Sequence, residues 1–254
     1  MTHKDLGNLQ NDVTLICIDC VNSIRALNAI KKCTAKIKFE NIKLLTSLDC
    51  CYENTVKIEP ITSIREYNSF CLNRLHEYVD TSHCLVIQYD GYILNENFWD
   101  DKWFEFDYIG SPFFADQRLS GRVGNGGFSL RSKKLLEICH QMYENNPIQD
   151  NEDYVICILW RELLQKKGIV FGDTENAKKF GSEQYEIIST QFGFHNKRYA
   201  IERALFELGI EDISSVYVIE KMRDDVNHLQ KVVYDLDRSF PMRLWRSIRR
   251  LMPK

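Results

Sequence analysis

The side chains best suited to chemistry lie in four short stretches of the chain. Asp90 ends an apolar run and precedes Gly91, Glu152 and Asp153 are adjacent, and His195 comes late in the sequence. A carboxylate at the end of a strand, such as Asp90, can hold a divalent cation against the oxygens of a diphosphate. The alternative is an aspartate that only caps an Asp-Gly turn.

The densest glycine stretch is Gly124-Asn125-Gly126-Gly127, which precedes the apolar run 128–130 and a predicted helix start. Glycine permits positive φ and lets a ligand lie against the backbone. A phosphate-binding P-loop is excluded because the Gly-Lys-Ser/Thr ending is absent, and the glycine offsets do not fit a dinucleotide fingerprint. We interpret the stretch as a loop against a bulky ligand. A bend that only the sheet requires is the alternative.

Glu152 and Asp153 are predicted in the first turn of a helix that Asp150 or Asn151 caps and that runs to Gly168. One of the two acids can accept the proton of an attacking hydroxyl while the other hydrogen-bonds the acceptor. The alternative is compensation of the helix dipole. A late histidine such as His195 can complete an oxygen-rich metal site, although a lone histidine is more often structural.

The elements that position these residues begin with an apolar run at 13–18, a helix at 24–36 and a strand at 42–46. This βαβ unit implies two parallel strands with a right-handed crossover. Ligands of such sheets bind beyond the carboxyl ends of the strands, so we place Asp19 and Asn22 near a nucleotide. Further strands are predicted at 83–88, 106–110, 169–171 and 185–188, helices at 60–80 and 133–143, and a mobile lid at 113–122.

The composition indicates a globular chain of 254 residues, with 44% hydrophobic and 27% charged residues. We see no run long enough for a membrane-spanning helix and no secretory signal. Nine cysteines, an odd number, favour a reducing cytosol over a disulfide scaffold. The net charge is −3, but residues 239–254 carry five bases and no acid, which leaves 28 bases against 36 acids elsewhere. An acidic body does not suggest a nucleic-acid binder.

The order of these features resembles the GT-A glycosyltransferases, which share a DxD motif, a glycine loop, an xED motif and a C-terminal histidine. Gln88-Tyr89-Asp90 stands at the first position, residues 124–127 at the second, Asn151-Glu152-Asp153 at the third and His195 at the fourth. The stretches 106–112, 125–132 and 192–195 also look like a glycosyltransferase-type family catalogued as a domain of unknown function in bacterial surface-polysaccharide clusters. This resemblance covers roughly residues 13–196.

The resemblance implies inverting transfer of a sugar from a nucleotide-sugar donor, with UDP favoured, to a glycan or lipid-linked acceptor. Asp153 would be the general base, and Glu152 the second choice for it or an acceptor ligand. Asp90 and His195 would hold Mn²⁺ or Mg²⁺. Gln88 replaces the first carboxylate of the DxD motif, which leaves metal dependence open.

The binding residues that the resemblance implies fall into two sets. Donor and nucleotide contacts are expected from Asp19, Asn22, Arg65, Gln88, Tyr89 and Asp90. Sugar and acceptor contacts are expected from Asn125, Gly126, Gly127 and Phe128. For Phe128 the alternative to a sugar contact is core packing, which is the interpretation we favour. We expect Arg131 to pair with an acid near the site.

The C-terminal segment 241–252 is basic and places Trp245 and other apolar residues on one side of a predicted helix. Such a helix suits the interface of an anionic membrane, so we expect a cytoplasmic protein that binds the inner face of the membrane peripherally. Docking on the protein itself or on a dimer partner is the alternative.

We therefore predict a GT-A-like α/β domain over residues 1–198, with a Rossmann-like βαβ nucleotide-binding half and a central mixed sheet flanked by helices. A helical C-terminal extension is predicted over 199–254. The alternative function is a non-catalytic glycan-binding or scaffold domain of the same fold. A nucleotide-sugar hydrolase or phosphotransferase is disfavoured, because it would need more metal carboxylates.

Overall fold

The computed structural model describes residues 12–35, 37–113, 122–183, 190–197 and 199–200. Its main sheet has six strands in the order β3-β2-β1-β4-β7-β6. The strands are β1 (Val13–Ile18), β2 (Asn41–Thr46), β3 (Thr55–Lys57), β4 (His83–Ile87), β6 (Tyr108–Gly110) and β7 (Phe128–Ser132). Strands β1 to β4 pair in parallel, and β7 runs antiparallel to both β4 and β6. The predicted α/β architecture with a mixed sheet and a βαβ half is confirmed.

Helices cover both faces of this sheet, and polar side chains fix where the three longest described helices begin. The helices are α1 (Ser23–Thr34), α2 (Ile64–Asn73), α3 (Lys133–Asn145), α4 (Glu152–Tyr154), α5 (Arg161–Lys166) and α6 (Thr174–Phe180). Asn22 caps α1, Ser63 forms a capping box with Glu66 on α2, and Ser132 caps α3. Each cap accepts from backbone N–H groups that the first turn leaves unpaired.

The core lies on both sides of the main sheet, because alternate residues of each strand point to opposite faces. Along β1, Leu15 and Cys17 pack with α1, whereas Ile16 and Ile18 pack with α2. All of β1 and β4 is buried. Near-continuous apolar strands of this kind are typical of a sheet covered on both faces.

A second, three-stranded sheet has the order β5-β9-β8 and was not predicted. It consists of β5 (Gly91–Ile93), β8 (Gly181–Ser182) and β9 (Gly193–His195). In the β5–β9 pair Gly91 lies opposite His195, and the backbone N–H of Asn196 donates to the carbonyl of Asp90 at 2.8 Å. This pairing brings the distant Asp90 and His195 together.

The single helix predicted from 150 to 168 is wrong, because the structure divides that region into three pieces. A π-helical segment, Val155–Leu159, separates α4 from α5, and the N–H of Trp160 donates to the carbonyl of Val155 at 2.8 Å. Asn151 precedes α4, but its side chain accepts from Asn68 instead of capping the helix. The apolar residues at 155–159 fit a π-helix and an α-helix equally, so their pattern does not predict the π-helical segment.

Some of the other predicted elements differ in the structure, and some lie outside the described residues. The strand predicted at 169–171 is a single bridge between Phe171 and Tyr108. The helix predicted at 60–80 is α2 followed by the 3₁₀ turn Leu75–Tyr78, and further 3₁₀ turns follow at Glu96–Phe98 and Asp101–Glu105. The strand at 185–188, most of the lid at 113–122 and the extension from 201 onward lie outside the described residues. No helix among the described residues is long and apolar enough to cross a membrane.

Candidate active site

Asp153 lies against the glycine loop, residues 124–127. The backbone N–H of Gly126 donates to Asp153 Oδ2 at 3.1 Å, and the N–H of Tyr154 donates to Asp153 Oδ1 at 2.8 Å. The side chain of Asp153 is half-buried. A carboxylate that is fixed by backbone donors and still reaches solvent suits a general base.

The glycine loop takes its shape from close approaches by neighbouring side chains. A Cβ on Gly126 would lie 1.7 Å from Glu152 Oε1, and one on Gly127 would lie 2.3 Å from His195 Nε2. Asn125 has a φ of 61° and its Oδ1 accepts from the N–H of Gly127 at 3.1 Å. Asparagine tolerates this left-handed conformation better than most residues. The loop is therefore closed on its inner side by Glu152 and His195.

His195 forms the centre of a polar chain at the same edge of the main sheet. Its Nε2 lies 3.4 Å from Asp90 Oδ1 and 3.2 Å from Gln88 Oε1. The Gln88 amide in turn donates to the hydroxyl of Tyr67 at 2.9 Å. Because both neighbours of Nε2 are acceptors, we assign the proton of the neutral ring to Nε2.

The charges around His195 favour its protonated form. Burial acts against the charged ring, but the Asp90 carboxylate outweighs it, with help from Glu183 and Asp153. The pKa of His195 is therefore raised above its usual value. The Asp90 carboxylate thus stabilises the charged form of His195.

The same pair has donor atoms that suit a divalent cation. Asp90 Oδ1 is buried and accepts no hydrogen bond of good geometry from the described residues. The described ranges contain no group of three or more His, Cys, Asp or Glu side chains that could hold a metal ion. Two protein donors fit a Mg²⁺-type site in which substrate phosphates and water supply the other ligands.

Glu152 lies inside the protein and is paired with Arg131. Its Oε1 accepts from Arg131 Nη2 at 2.9 Å, and the two side chains are 4% and 0% exposed. Burial raises the pKa of Glu152, and the charge of Arg131 opposes that rise. Arg131 stays charged, because the carboxylate outweighs the effect of burial on its own pKa. A carboxylate without access to the site cannot take a proton from an acceptor, so Glu152 is corrected from base or acceptor ligand to a buried partner of Arg131.

A cavity of about 270 Å³ opens beyond the carboxyl end of β1, and Asp19, Gln88 and Tyr89 contribute to its wall. Both oxygens of Asp19 are occupied: Oδ1 accepts from the N–H groups of Val21 and Asn22, and Oδ2 from Arg25 Nε at 2.6 Å. The Arg25 guanidinium stacks 4.0 Å from the centre of the Tyr89 ring. Asp19 therefore organises this wall through Arg25.

Arg25 is the functional candidate that sequence reasoning missed. The only local signal was a basic residue one turn into the helix that follows a strand-end acid. Asn22, predicted to touch a nucleotide, uses its side chain to cap α1. Arg65 lies apart from the 270 Å³ cavity, in a neighbouring groove of about 490 Å³ between α2 and the end of α3.

Phe128 is corrected from a sugar contact to a core residue. Its side chain is 1% exposed, and its ring lies 5.0 Å from that of Phe180 and 5.9 Å from that of Phe192, centre to centre. A buried ring surrounded by other rings cannot reach a ligand. The expected core packing of Phe128 and the expected pairing of Arg131 with an acid are both confirmed.

The fold is thus a mixed α/β sheet whose candidate site lies beyond the carboxyl ends of its parallel strands. Residues 52–197 match the family described as "Protein of unknown function (DUF5672)", and the chain belongs to that family. The family description names no activity. A search of the curated proteins gives no match.

Solved structures with partial similarity include two glycosyltransferases. One is involved in the glycosylation of the major capsid of PBCV-1, with 12% identity over 72% of this chain and 92% of that chain, and a TM-score of 0.47. The other is the galactosyltransferase LgtC, with 12% identity over 72% and 87% of the two chains and a TM-score of 0.44. The bifunctional IspDF from Campylobacter jejuni matches at 16% identity over 64% of this chain and 49% of its own length, with a TM-score of 0.42. At these identities the similarity is one of fold alone.

Proposed function

We propose that the protein is an inverting glycosyltransferase that moves a sugar from a nucleotide sugar, with a UDP-sugar favoured, to a hydroxyl of a glycan or lipid-linked acceptor. We place this reaction in bacterial surface-polysaccharide synthesis, such as that of lipopolysaccharide. The observation that carries the proposal is the glycine loop, which holds Asp153 through Gly126 and packs on His195 through Gly127. A fixed carboxylate and the Asp90–His195 pair thereby face one edge of the sheet.

In the proposed reaction, Asp153 accepts the proton of the acceptor hydroxyl as its oxygen attacks the anomeric carbon of the donor. The bond from that carbon to the diphosphate breaks on the opposite side, which inverts the configuration. The nucleoside diphosphate leaves with the bonding electron pair. Gly126 orients the base through its N–H, 3.1 Å from Asp153 Oδ2.

The donor nucleotide is proposed to occupy the 270 Å³ cavity beside Arg25 and Tyr89. This cavity includes Gln88, which also contacts His195, so its inner wall borders the Asp90–His195 pair. Those two residues would hold Mn²⁺ or Mg²⁺, which would neutralise the charge that grows on the diphosphate. Gln88 fixes the histidine ring in place of a second carboxylate.

The function is tested by incubating the protein with a panel of nucleotide sugars and Mn²⁺ and measuring the nucleotide released. We expect release from one donor class, and a thermal shift with the matching nucleotide. Neither release nor a thermal shift with UDP, GDP, CMP or dTDP would favour the non-catalytic glycan-binding or scaffold alternative.

The base assignment is tested separately with Asp153→Asn. The amide still accepts from the Gly126 N–H but cannot take a proton, so transfer should fall by about 100-fold or more while donor binding is retained. Glu175→Gln is a matched control, since Glu175 pairs with Lys178 on the surface of α6. Transfer by Asp153→Asn at the wild-type rate would refute the base assignment.

A further inference from the structure

Both peptide planes of Gly126 are held by hydrogen bonds. Its N–H donates to Asp153 Oδ2 at 3.1 Å. Its carbonyl accepts from Arg131 Nη2 and from Ser129 Oγ, each at 3.1 Å. The next N–H, that of Gly127, is held by the side chain of Asn125. Glycine has no conformational preference of its own, so these bonds decide where the Gly126 N–H points.

The Arg131 guanidinium also bonds to Glu152, the residue next to Asp153. Arg131 Nη2 donates to Glu152 Oε1 at 2.9 Å, and Glu152 directly precedes Asp153 in α4. Arg131 therefore anchors the donor residue, Gly126, and the neighbour of the acceptor residue, Asp153. Gly126 and Glu152 belong to separate elements, and the Arg131 side chain donates to both.

We propose that Arg131 is a positioning residue, which holds the glycine loop and the start of α4 together so that the Gly126 N–H meets the Asp153 carboxylate. This inference rests on the proposed function for the role of Asp153. The Arg131 side chain is fully buried, so it touches neither the donor nor the acceptor. It acts through Gly126 and Glu152.

The shape and charge of arginine are both needed at this position. Arg131 Nε donates to Ser129 Oγ at 2.9 Å while Nη2 serves the Gly126 carbonyl and Glu152. The guanidinium also lies 5.4 Å from the centre of the Tyr108 ring. A lysine ammonium is a single point of charge on a flexible stem and cannot reproduce this fork. The conservative change to lysine should therefore fail to restore the alignment.

The test uses Arg131→Lys and the double variant Arg131→Met with Glu152→Met. The single change can destabilise the fold, because it weakens the pairing of a buried carboxylate. The double variant removes both charges, and replacing a buried ion pair by apolar residues of similar volume is often neutral. Arg74→Met is the matched control, since it breaks the half-exposed Arg74–Glu77 pair.

The first readout does not need activity. Asn125-Gly126 is the chain's one Asn–Gly dipeptide, so ¹³C′-asparagine with ¹⁵N-glycine labelling isolates the Gly126 amide signal. We expect hydrogen exchange at this amide to accelerate by about tenfold or more in both Arg131 variants. The rate should stay unchanged in Arg74→Met.

The second readout is steady-state transfer. Misplacing the base should lower kcat by about 100-fold, with donor KM within about twofold of the wild type. A purely structural Arg131 would leave kcat unchanged at temperatures where the double variant is folded. A folded double variant with wild-type kcat and wild-type Gly126 exchange would overturn the proposal.

The experiment distinguishes failure of the proposed function from failure of the positioning role of Arg131. If the wild type transfers no sugar, the proposed reaction is wrong, and the amide exchange alone then decides the role of Arg131. Accelerated Gly126 exchange in the folded double variant would support positioning. Unchanged exchange would refute it.

Discussion

Replacing Gly126 by alanine tests how tightly the glycine loop packs on the buried ion pair. The added Cβ would lie 1.7 Å from Glu152 Oε1 and 3.0 Å from Arg131 Nη2, whereas an ordinary contact needs at least 3.4 Å. The carboxylate must therefore retreat by more than about 1.5 Å. Its 2.9 Å bond to Arg131 cannot survive that displacement.

The loss of stability in Gly126→Ala follows from the burial of the Arg131–Glu152 ion pair. Breaking a buried ion pair destabilises a protein by about 3–5 kcal/mol, and a domain has about 5–15 kcal/mol in total. If the loop moves instead, the Gly126 N–H leaves Asp153, so stability is lost by either route. Gly126→Ala should remain folded in water but lose a large part of its stability.

The assay is urea unfolding followed by the fluorescence of the buried Trp99 and Trp103. With a slope of about 3 kcal/mol per M for a domain of this size, the midpoint should fall by about 1–2 M. Gly181→Ala is the matched control, because a Cβ at this buried glycine meets nothing closer than 3.4 Å.

A second substitution separates steric conflict from other effects. With Glu152→Ala already in place the obstructing carboxylate is gone, so adding Gly126→Ala should cost less than about 1 kcal/mol, a clear departure from additivity. Equal midpoints for Gly126→Ala and Gly181→Ala, or strict additivity in the double variant, would refute the packing argument.

Three further predictions concern other parts of the chain. The folded-state pKa of His195 is raised, so the stabilisation from its charge is complete below the unfolded-state pKa and is lost as pH rises through the folded-state pKa. The difference in Tm between wild type and His195→Gln, measured in EDTA, should therefore shrink from about pH 5.5 to pH 8.5. A constant difference in Tm would contradict this prediction. Phe128→Ala should cost about 3–5 kcal/mol in urea unfolding with donor KM unchanged; a large rise in KM without loss of stability would restore the sugar-contact interpretation. Deleting residues 239–254, which carry the basic tail, should abolish flotation with anionic liposomes while sparing activity on a soluble acceptor, and undiminished flotation would count against membrane binding.

The parts of the fold that could be predicted are those with local signals. The βαβ unit at 13–46 is visible as an apolar run, an amphipathic helix and a second strand, and all three exist with ends shifted by at most two residues. Local signals also predicted the glycine loop, the strand after it and the helix that starts at Lys133. Asp90 and His195 were predicted to meet, and the β5–β9 pair brings them together.

The parts that could not be predicted depend on contacts between distant residues. Arg131 was expected to pair with an acid, but its choice of Glu152 depends on where the fold places α4, 21 residues away along the chain. The bond from Arg25 to Asp19 gave no more than a faint signal, because both residues have ordinary roles at a strand end and a helix start. Strands of two or three residues, such as β5, β8 and β9, are too short for a period to show.

The pairing of Gly91 with His195 also has a consequence for synthesis on the ribosome. Strand β5 is made early, but it gains its antiparallel partner β9 only when residues 193–195 have left the exit tunnel. The Asp90–His195 pair therefore forms after the six described strands of the main sheet have been made. Long-range pairing of this kind is slow, so we expect a nascent chain stalled before residue 193 to show the βαβ half folded and the Asp90 site incomplete.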